Sequence, residues 1–217
     1  MSITETLRAS VQSDWDAATR HPFTNALVDG SLDPALMAGY LQQDYHFIDG
    51  FVRLLASAIA HAPTLADSVP AAQFLGLVTG PENTYFLRSF EALNVPAEAP
   101  AAPETVAFQD LMARARQSGR YEIMIAVLVV AEWVYLDWAD PHADRAADLP
   151  FWLGEWITLH AGEGFAGVVA YLRDQLDRVW EGLAATAREE VTATFQEAVW
   201  LERAFFDAAW AGFGSAR

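Results

Sequence analysis

The spacing of apolar residues along the chain is helical from one end to the other. Ser2-Ile3-Thr4-Glu5 has the Ser-x-x-Glu form of a capping box, and Leu7, Val11, Trp15 and Ala18 follow on one face, predicting a first helix to about Arg20. His21-Pro22-Phe23 ends it, and a short turn through Asn25-Ala26-Leu27 stops at Asp29-Gly30. Asp33-Pro34 then offers an N-cap with proline at the first helical position, and the pattern stays helical to Pro63, with Gly39 and Gly50 as weak points. Helical periodicity continues from Thr64 to Leu93, with a kink or break expected at Pro70 and at Gly80-Pro81. The Ala- and Pro-rich stretch from Asn94 to Pro103 is the best linker, short enough for an interhelical loop. Further helices are predicted over 104–117, 121–139, 149–161, 165–183 and 189–211. The unbroken apolar run from Ile123 to Ala131 makes the second of these apolar all round, and therefore central. No useful segment alternates with period two, so the expected fold is all-α: one domain over 1–217, a helical bundle of roughly eight helices.

Three acids violate this pattern. Met37, Tyr40, Leu41, Phe47, Ile48, Phe51, Val52 and Leu55 share one helical face, and Asp44 falls in the middle of it. Ile125, Leu128 and Val129 lead on one face to Glu132, which Tyr135, Leu136 and Ala139 follow. Glu202 is framed in the same way by Phe195, Ala198, Val199, Phe205, Phe206 and Ala209. A buried carboxylate needs a partner, because desolvation disfavours its charged form. Arginines such as Arg53, Arg88 or Arg203 would make each acid half of a structural ion pair. Three such acids together favour a shared polar pocket where facing helices converge. The eight Trp, six Tyr and thirteen Phe fit either reading, as core packing or as stacking walls for a flat heterocycle.

Composition narrows the chemistry. Thirteen basic residues against 29 acidic ones give a formal charge of −16, which argues against nucleic-acid and anionic-membrane partners. All the basic residues are arginine, so P-loop, Schiff-base and general-base lysines are excluded, and the lack of cysteine excludes disulfides, thiolate metal sites and a cysteine nucleophile. The first residues carry no leader pattern and no apolar run approaches the roughly 20 residues of a membrane span, so a soluble cytoplasmic protein is expected. None of the histidines at 21, 46, 61, 142 and 160 forms the Glu-x-x-His pair of a di-iron bundle. His21 stays open as a heme ligand, although a lone histidine is more often a helix-end or core residue. There is no Gly-x-Ser-x-Gly elbow and no Gly-x-Gly-x-x-Gly loop.

Several stretches, in order, carry a resemblance. They are His21-Pro22-Phe23 with Gly30-Ser31-Leu32, Tyr40-Leu41-Gln42-Gln43-Asp44-Tyr45, Ala131-Glu132-Trp133-Val134-Tyr135, Trp156-Ile157 with His160 and Phe165, and Glu202-x-x-Phe205-Phe206-Asp207-x-Ala209-Trp210. Together they resemble the TenA / thiaminase II family, which implies the heme-oxygenase-like bundle. By that resemblance Asp44 would hydrogen-bond an aminopyrimidine ring and its amine, and Glu202 would exchange protons with the ring nitrogen and the leaving group. Tyr135 would be a pocket tyrosine, and Phe47, Phe108 and His160 would stand where many members carry tyrosines. The family's usual cysteine on the central helix is missing; the chain looks like the branch in which a glutamate, here Glu132, stands at or beside its place.

The resemblance and the inward acids together point to an aminohydrolase of thiamin-breakdown pyrimidines. In it Glu202, Asp44 and Glu132 would be catalytic, Asp44, Phe47, Phe108, Tyr135 and His160 would bind substrate, and neither metal nor cofactor is expected. The expected partners are a small-molecule pyrimidine and further copies of the chain, as a homo-oligomer, dimer or tetramer. Two alternatives stay open at this point: a pyrimidine binder without catalysis, and an oxidative enzyme of the same fold.

Overall fold

The computed structural model describes residues 2–214, and among these there is no β-strand. Its eleven α-helices begin with α1 (Ile3–Ser10), α2 (Gln12–Thr19) and α3 (Pro22–Val28). The capping box is present at the start of α1: Ser2 Oγ accepts from the Glu5 N–H at 3.3 Å, and the Glu5 carboxylate accepts from the Ser2 N–H. The first predicted helix is split at Val11, whose backbone leaves the helical region (φ −125°). The split lets α1 reach Asp177 through Thr4, while α2 lays Trp15 into the centre of the molecule. His21 caps α3, with Nδ1 accepting from the Phe23 N–H at 3.0 Å; Nε2 therefore carries the proton and donates to Asp207. Both ring nitrogens are thus engaged in a helix-end role.

The long helix α4 (Pro34–His61) starts at the predicted Asp33 cap and runs through Gly39 and Gly50 without a break. Gly50 is a contact position rather than a weak point, since a Cβ there would lie 2.8 Å from the Met112 methyl. Beyond it, α5 (Leu65–Leu77) continues through Pro70 without a break. The predicted break at Gly80-Pro81 takes the form of a π-helical turn, Val78–Glu82, which leads into α6 (Asn83–Leu93). The loop after α6 is held on α4: the Gln43 side chain bonds Pro100, Ala102 and Thr105, and Gln42 bonds Pro96.

Three further helices build the middle, α7 (Pro103–Gln117), α8 (Tyr121–Ala139) and α9 (Phe151–Leu159). Sixteen of the 19 residues of α8 are buried, so it is the axis of the bundle, packed against α2, α4, α7, α10 (Gly162–Trp180) and α11 (Ala185–Ala211). The polar stretch between α8 and α9 is a 3-10 segment, Asp140–Asp148, rather than an open loop. It closes tightly on α9 at Gly154, where a Cβ would lie 2.2 Å from the Ala146 carbonyl oxygen. That contact sets where α9 stands relative to α8.

Gly154→Ala forces backbone from backbone and is expected to destabilise the protein by about 2 kcal/mol or more in a urea unfolding curve. Gly167→Ala, on α10 where an added Cβ meets nothing within 4 Å, is expected to be neutral or to stabilise by up to about 1 kcal/mol. Equal effects at the two positions would contradict the close approach at Gly154.

Candidate active site

Four elements bring their odd residues to one place. α4 contributes Asp44, Phe47, Ile48 and Phe51, and the π-helical turn contributes Glu82. α8 contributes Ala131, Glu132 and Tyr135, while α9 contributes Trp156 and, at its C-cap, His160. These side chains line one small cavity of about 20 Å3, room for about one water. Glu202, on α11, stands behind this lining at 2% exposure, and one of its carboxyl oxygens, Oε1, is buried without a hydrogen-bond partner. Phe108 is likewise one layer back, edge-on to Phe47 at 4.9 Å between ring centres.

The arginines that would neutralise these acids are elsewhere. Arg53 pairs with Asp49, Arg88 with Glu155, and Arg203 with Asp14 and Asp207. Among the described residues no ion pair includes Asp44, Glu82, Glu132 or Glu202. Two other acids show how this protein ordinarily treats an inward carboxylate. Asp67, also buried, accepts from Arg178 at 2.6 Å and from Thr64 at 2.7 Å, and these bonds hold its carboxyl below the usual range. Asp137, five residues after Glu132 on α8, receives Arg8 and the Trp15 indole N–H, both at 2.9 Å.

Without such partners the four acids resist ionisation. Burial pushes Asp44 up to about 8. Glu202 is raised by burial and by the Asp44 charge, Glu132 by burial and then by Glu202 and Asp44. Glu82, half-buried, is raised by burial and by the charges of Glu132 and Asp44. Asp44 is therefore mostly protonated at neutral pH, and the other three hold a proton more readily than free carboxyl groups do. Such groups donate as well as accept, and a guest bearing positive charge draws protons off them. A protonatable, nitrogen-rich guest is the natural complement.

The rest of the lining is aromatic. The Tyr135 and Tyr40 hydroxyls meet at 2.6 Å, and Tyr135 lies 4.8 Å from the His160 ring. Trp156 packs edge-on to His160 at 4.3 Å. Burial holds the imidazole neutral, at about 4, and its Nδ1–H donates to the Trp156 carbonyl at 2.8 Å. Among the described residues no group of three or more His, Asp or Glu is spaced to hold a metal ion.

The three acids singled out from the sequence, together with Phe47, Tyr135 and His160, thus meet at or beside one cavity. Glu82 escaped sequence reading because the helical pattern stops at Gly80-Pro81, leaving no stripe on which an acid would look misplaced. A carboxylate directly after a Gly-Pro interruption inside an otherwise helical segment is the signal that could have found it.

Residues 8–212 match the sequence model of the TENA/THI-4/PQQC family. The chain is 27% identical over 216 residues to an aminopyrimidine aminohydrolase of Halalkalibacterium halodurans, a match covering 97% of this chain and 96% of that one. Its fold is similar to that of the TenA homologue protein from P. horikoshii OT3, with a TM-score of 0.85 at 22% identity over 98% of this chain and 100% of that chain. It is also similar to a domain of unknown function with a heme oxygenase-like fold from Shewanella denitrificans, with a TM-score of 0.69 at 17% identity over 97% of this chain and 93% of that one. The match over nearly the whole chain, on an all-α bundle of heme-oxygenase-like form, places this protein in the TENA/THI-4/PQQC family.

Proposed function

We propose that the protein is an aminopyrimidine aminohydrolase of thiamin salvage, acting on 4-amino-5-aminomethyl-2-methylpyrimidine or its N-formyl derivative. The observation that carries this reading is the set of carboxyl groups with no countercharge around an aromatic-lined cavity. The H. halodurans relative supports the substrate class. In the reaction the bond between the CH2 carbon and its nitrogen breaks and the oxygen of water takes the nitrogen's place. Hydroxymethylpyrimidine forms, and the nitrogen leaves as ammonia, or as formamide from the formyl derivative.

Each acid takes a part suited to its surroundings. Asp44, protonated for the most part at neutral pH, donates to a ring nitrogen and accepts from the ring amine. Glu202, behind it on α11, supplies the proton that the ring or the departing nitrogen needs. Glu132 takes a proton from water in place of the thiolate chemistry that a chain without cysteine lacks. Phe47, Tyr135 and His160 flank the ring, and Phe108 backs Phe47. Because the cavity holds only about 20 Å3, a ring enters as Phe47, Ile48 or the π-helical turn gives way. The chain acts as a single domain in the cytoplasm and as a homo-oligomer, dimer or tetramer, for which the exposed Leu65, Trp200 and Trp210 supply apolar surface.

Purified protein is expected to release hydroxymethylpyrimidine from these substrates and to elute as a dimer or tetramer rather than as one chain. Glu202→Gln is expected to lower kcat/KM by roughly 100-fold or more. A protein that binds hydroxymethylpyrimidine but turns nothing over is the non-catalytic alternative, and would remove the aminohydrolase.

The sign of the Asp44 shift fixes how stability changes with pH. Its folded value, about 8, lies above its ordinary value of 3.8, so its contribution to stability is full below about pH 4 and is lost as pH rises through 8. Asparagine cannot ionise and removes that loss. Asp44→Asn is expected to raise Tm at pH 9 by roughly 10 °C or more, with the gap closing as pH falls towards 4. No gap at pH 9 would show that Asp44 ionises there without cost.

A further inference from the structure

Glu82 and His160 face two cavities, not one. On their far side lies a cleft of about 250 Å3, half open to the surface, walled by Phe74, Leu77, Pro81, Leu159, Phe165 and Val168. The inner cavity, of about 20 Å3, and this cleft therefore share a boundary, the neck, formed by one carboxyl and one imidazole.

The neck offers two polar groups without protein partners. His160 spends its one proton on the Trp156 carbonyl, so Nε2 presents a lone pair, and among the described residues no protein group bonds it. The Glu82 carboxyl has no hydrogen-bond partner among those residues, and no arginine there pairs with it. The His160 lone pair suits a guest N–H, and a protonated Glu82 carboxyl opposite it suits a guest carbonyl oxygen. Beyond them the cleft is apolar apart from Thr158, so the part of the guest past its polar group must be hydrocarbon.

Resting on the aminohydrolase reading, we propose that this cleft is a second binding site, for an aliphatic acyl group on the departing nitrogen, with the amide group held between Glu82 and His160. The pyrimidine then lies inside the neck and the acyl chain outside it. Water adds its oxygen to the CH2 carbon as the CH2–N bond breaks; one water proton ends on the nitrogen, and the product leaves through the cleft as a primary amide. Glu82 and the cleft walls set which amides are accepted, and the protein takes acyl groups larger than formyl.

The test compares N-formyl and N-butanoyl derivatives of the aminomethylpyrimidine, with dissociation constants measured by calorimetry on Glu202→Gln protein, which holds the amides uncleaved. The butanoyl amide is expected to bind roughly tenfold more tightly, from its three extra carbons in an apolar cleft. Adding Gly164→Leu fills the cleft from a position where a Cβ meets nothing within 4 Å, and is expected to reduce that preference to within about threefold. Val168→Phe, one turn further along the same helix, is expected to do the same and guards against a folding defect in the first variant. Equal affinities for the two amides, or a preference that survives both substitutions, would overturn the cleft. A failure of the aminohydrolase reading shows separately, as wild-type protein that turns over neither the free amine nor the formyl amide. If none of these pyrimidines binds, both proposals fall.

Discussion

Three carboxyl groups held in an apolar core, with a fourth at its edge and no countercharge for any of them, are the constraint around which this molecule is arranged. Ionising Asp44 where it stands costs on the order of 5 kcal/mol more than in the unfolded chain, a large share of the stability of an ordinary domain. The protein has the means to avoid this, because Asp67 and Asp137 are also inward acids and each has its arginine. Asp44, Glu132 and Glu202 have none: Arg53 and Arg203, the nearest arginines on the helices of Asp44 and Glu202, pair with other acids, and α8 carries no arginine. What keeps them in place is the packing around them. α8 is buried along most of its length, α4 and α11 lie against it, and the Tyr40–Tyr135 hydroxyl pair and the Trp156 and His160 rings close the space between. A tightly packed aromatic frame maintains a polar centre that would otherwise hydrate or rearrange.

That centre turns one strained property into chemistry. Carboxyl groups that resist ionisation can hold a proton at neutral pH and release it when a basic ring arrives. The charges of neighbouring acids raise one another's affinity for protons, which separates the roles of acids that share a chemical type. The neutral His160 extends the same logic to the edge of the site, because burial keeps its imidazole from adding a positive charge there.

Much of this was legible in the chain itself. The period of the apolar residues gave α8 its bounds and its central place, and Asp33-Pro34 marked the start of α4. Asp44, Glu132 and Glu202 stood out because each interrupts a stripe that continues on both sides of it, and a stripe fixes where a side chain points. The features that were not legible depend on contacts between distant segments. Val11 reads as an ordinary member of an apolar face, yet the two halves of its helix turn to different partners. Pro70 reads as a break, yet its helix continues. Glu82 comes after a Gly-Pro pair that ends the periodicity, so only the π-helical turn and the packing of α4 and α9 around it reveal that it faces Asp44 and Glu132. Phe108 reads as part of the wall, and its place behind Phe47 is a matter of one layer of packing.

The central claim is that these acids share one guest ring, and a crystal structure of the protein with hydroxymethylpyrimidine bound tests it most directly. The pyrimidine is expected between Phe47, Tyr135 and His160, with Asp44 within hydrogen-bond distance of a ring nitrogen and the ring amine, Glu202 facing the exocyclic CH2–O, and Glu82 towards the cleft. A ring bound away from these carboxyl groups, or one held by Glu82 alone while Asp44 and Glu202 stay buried out of reach, would contradict it.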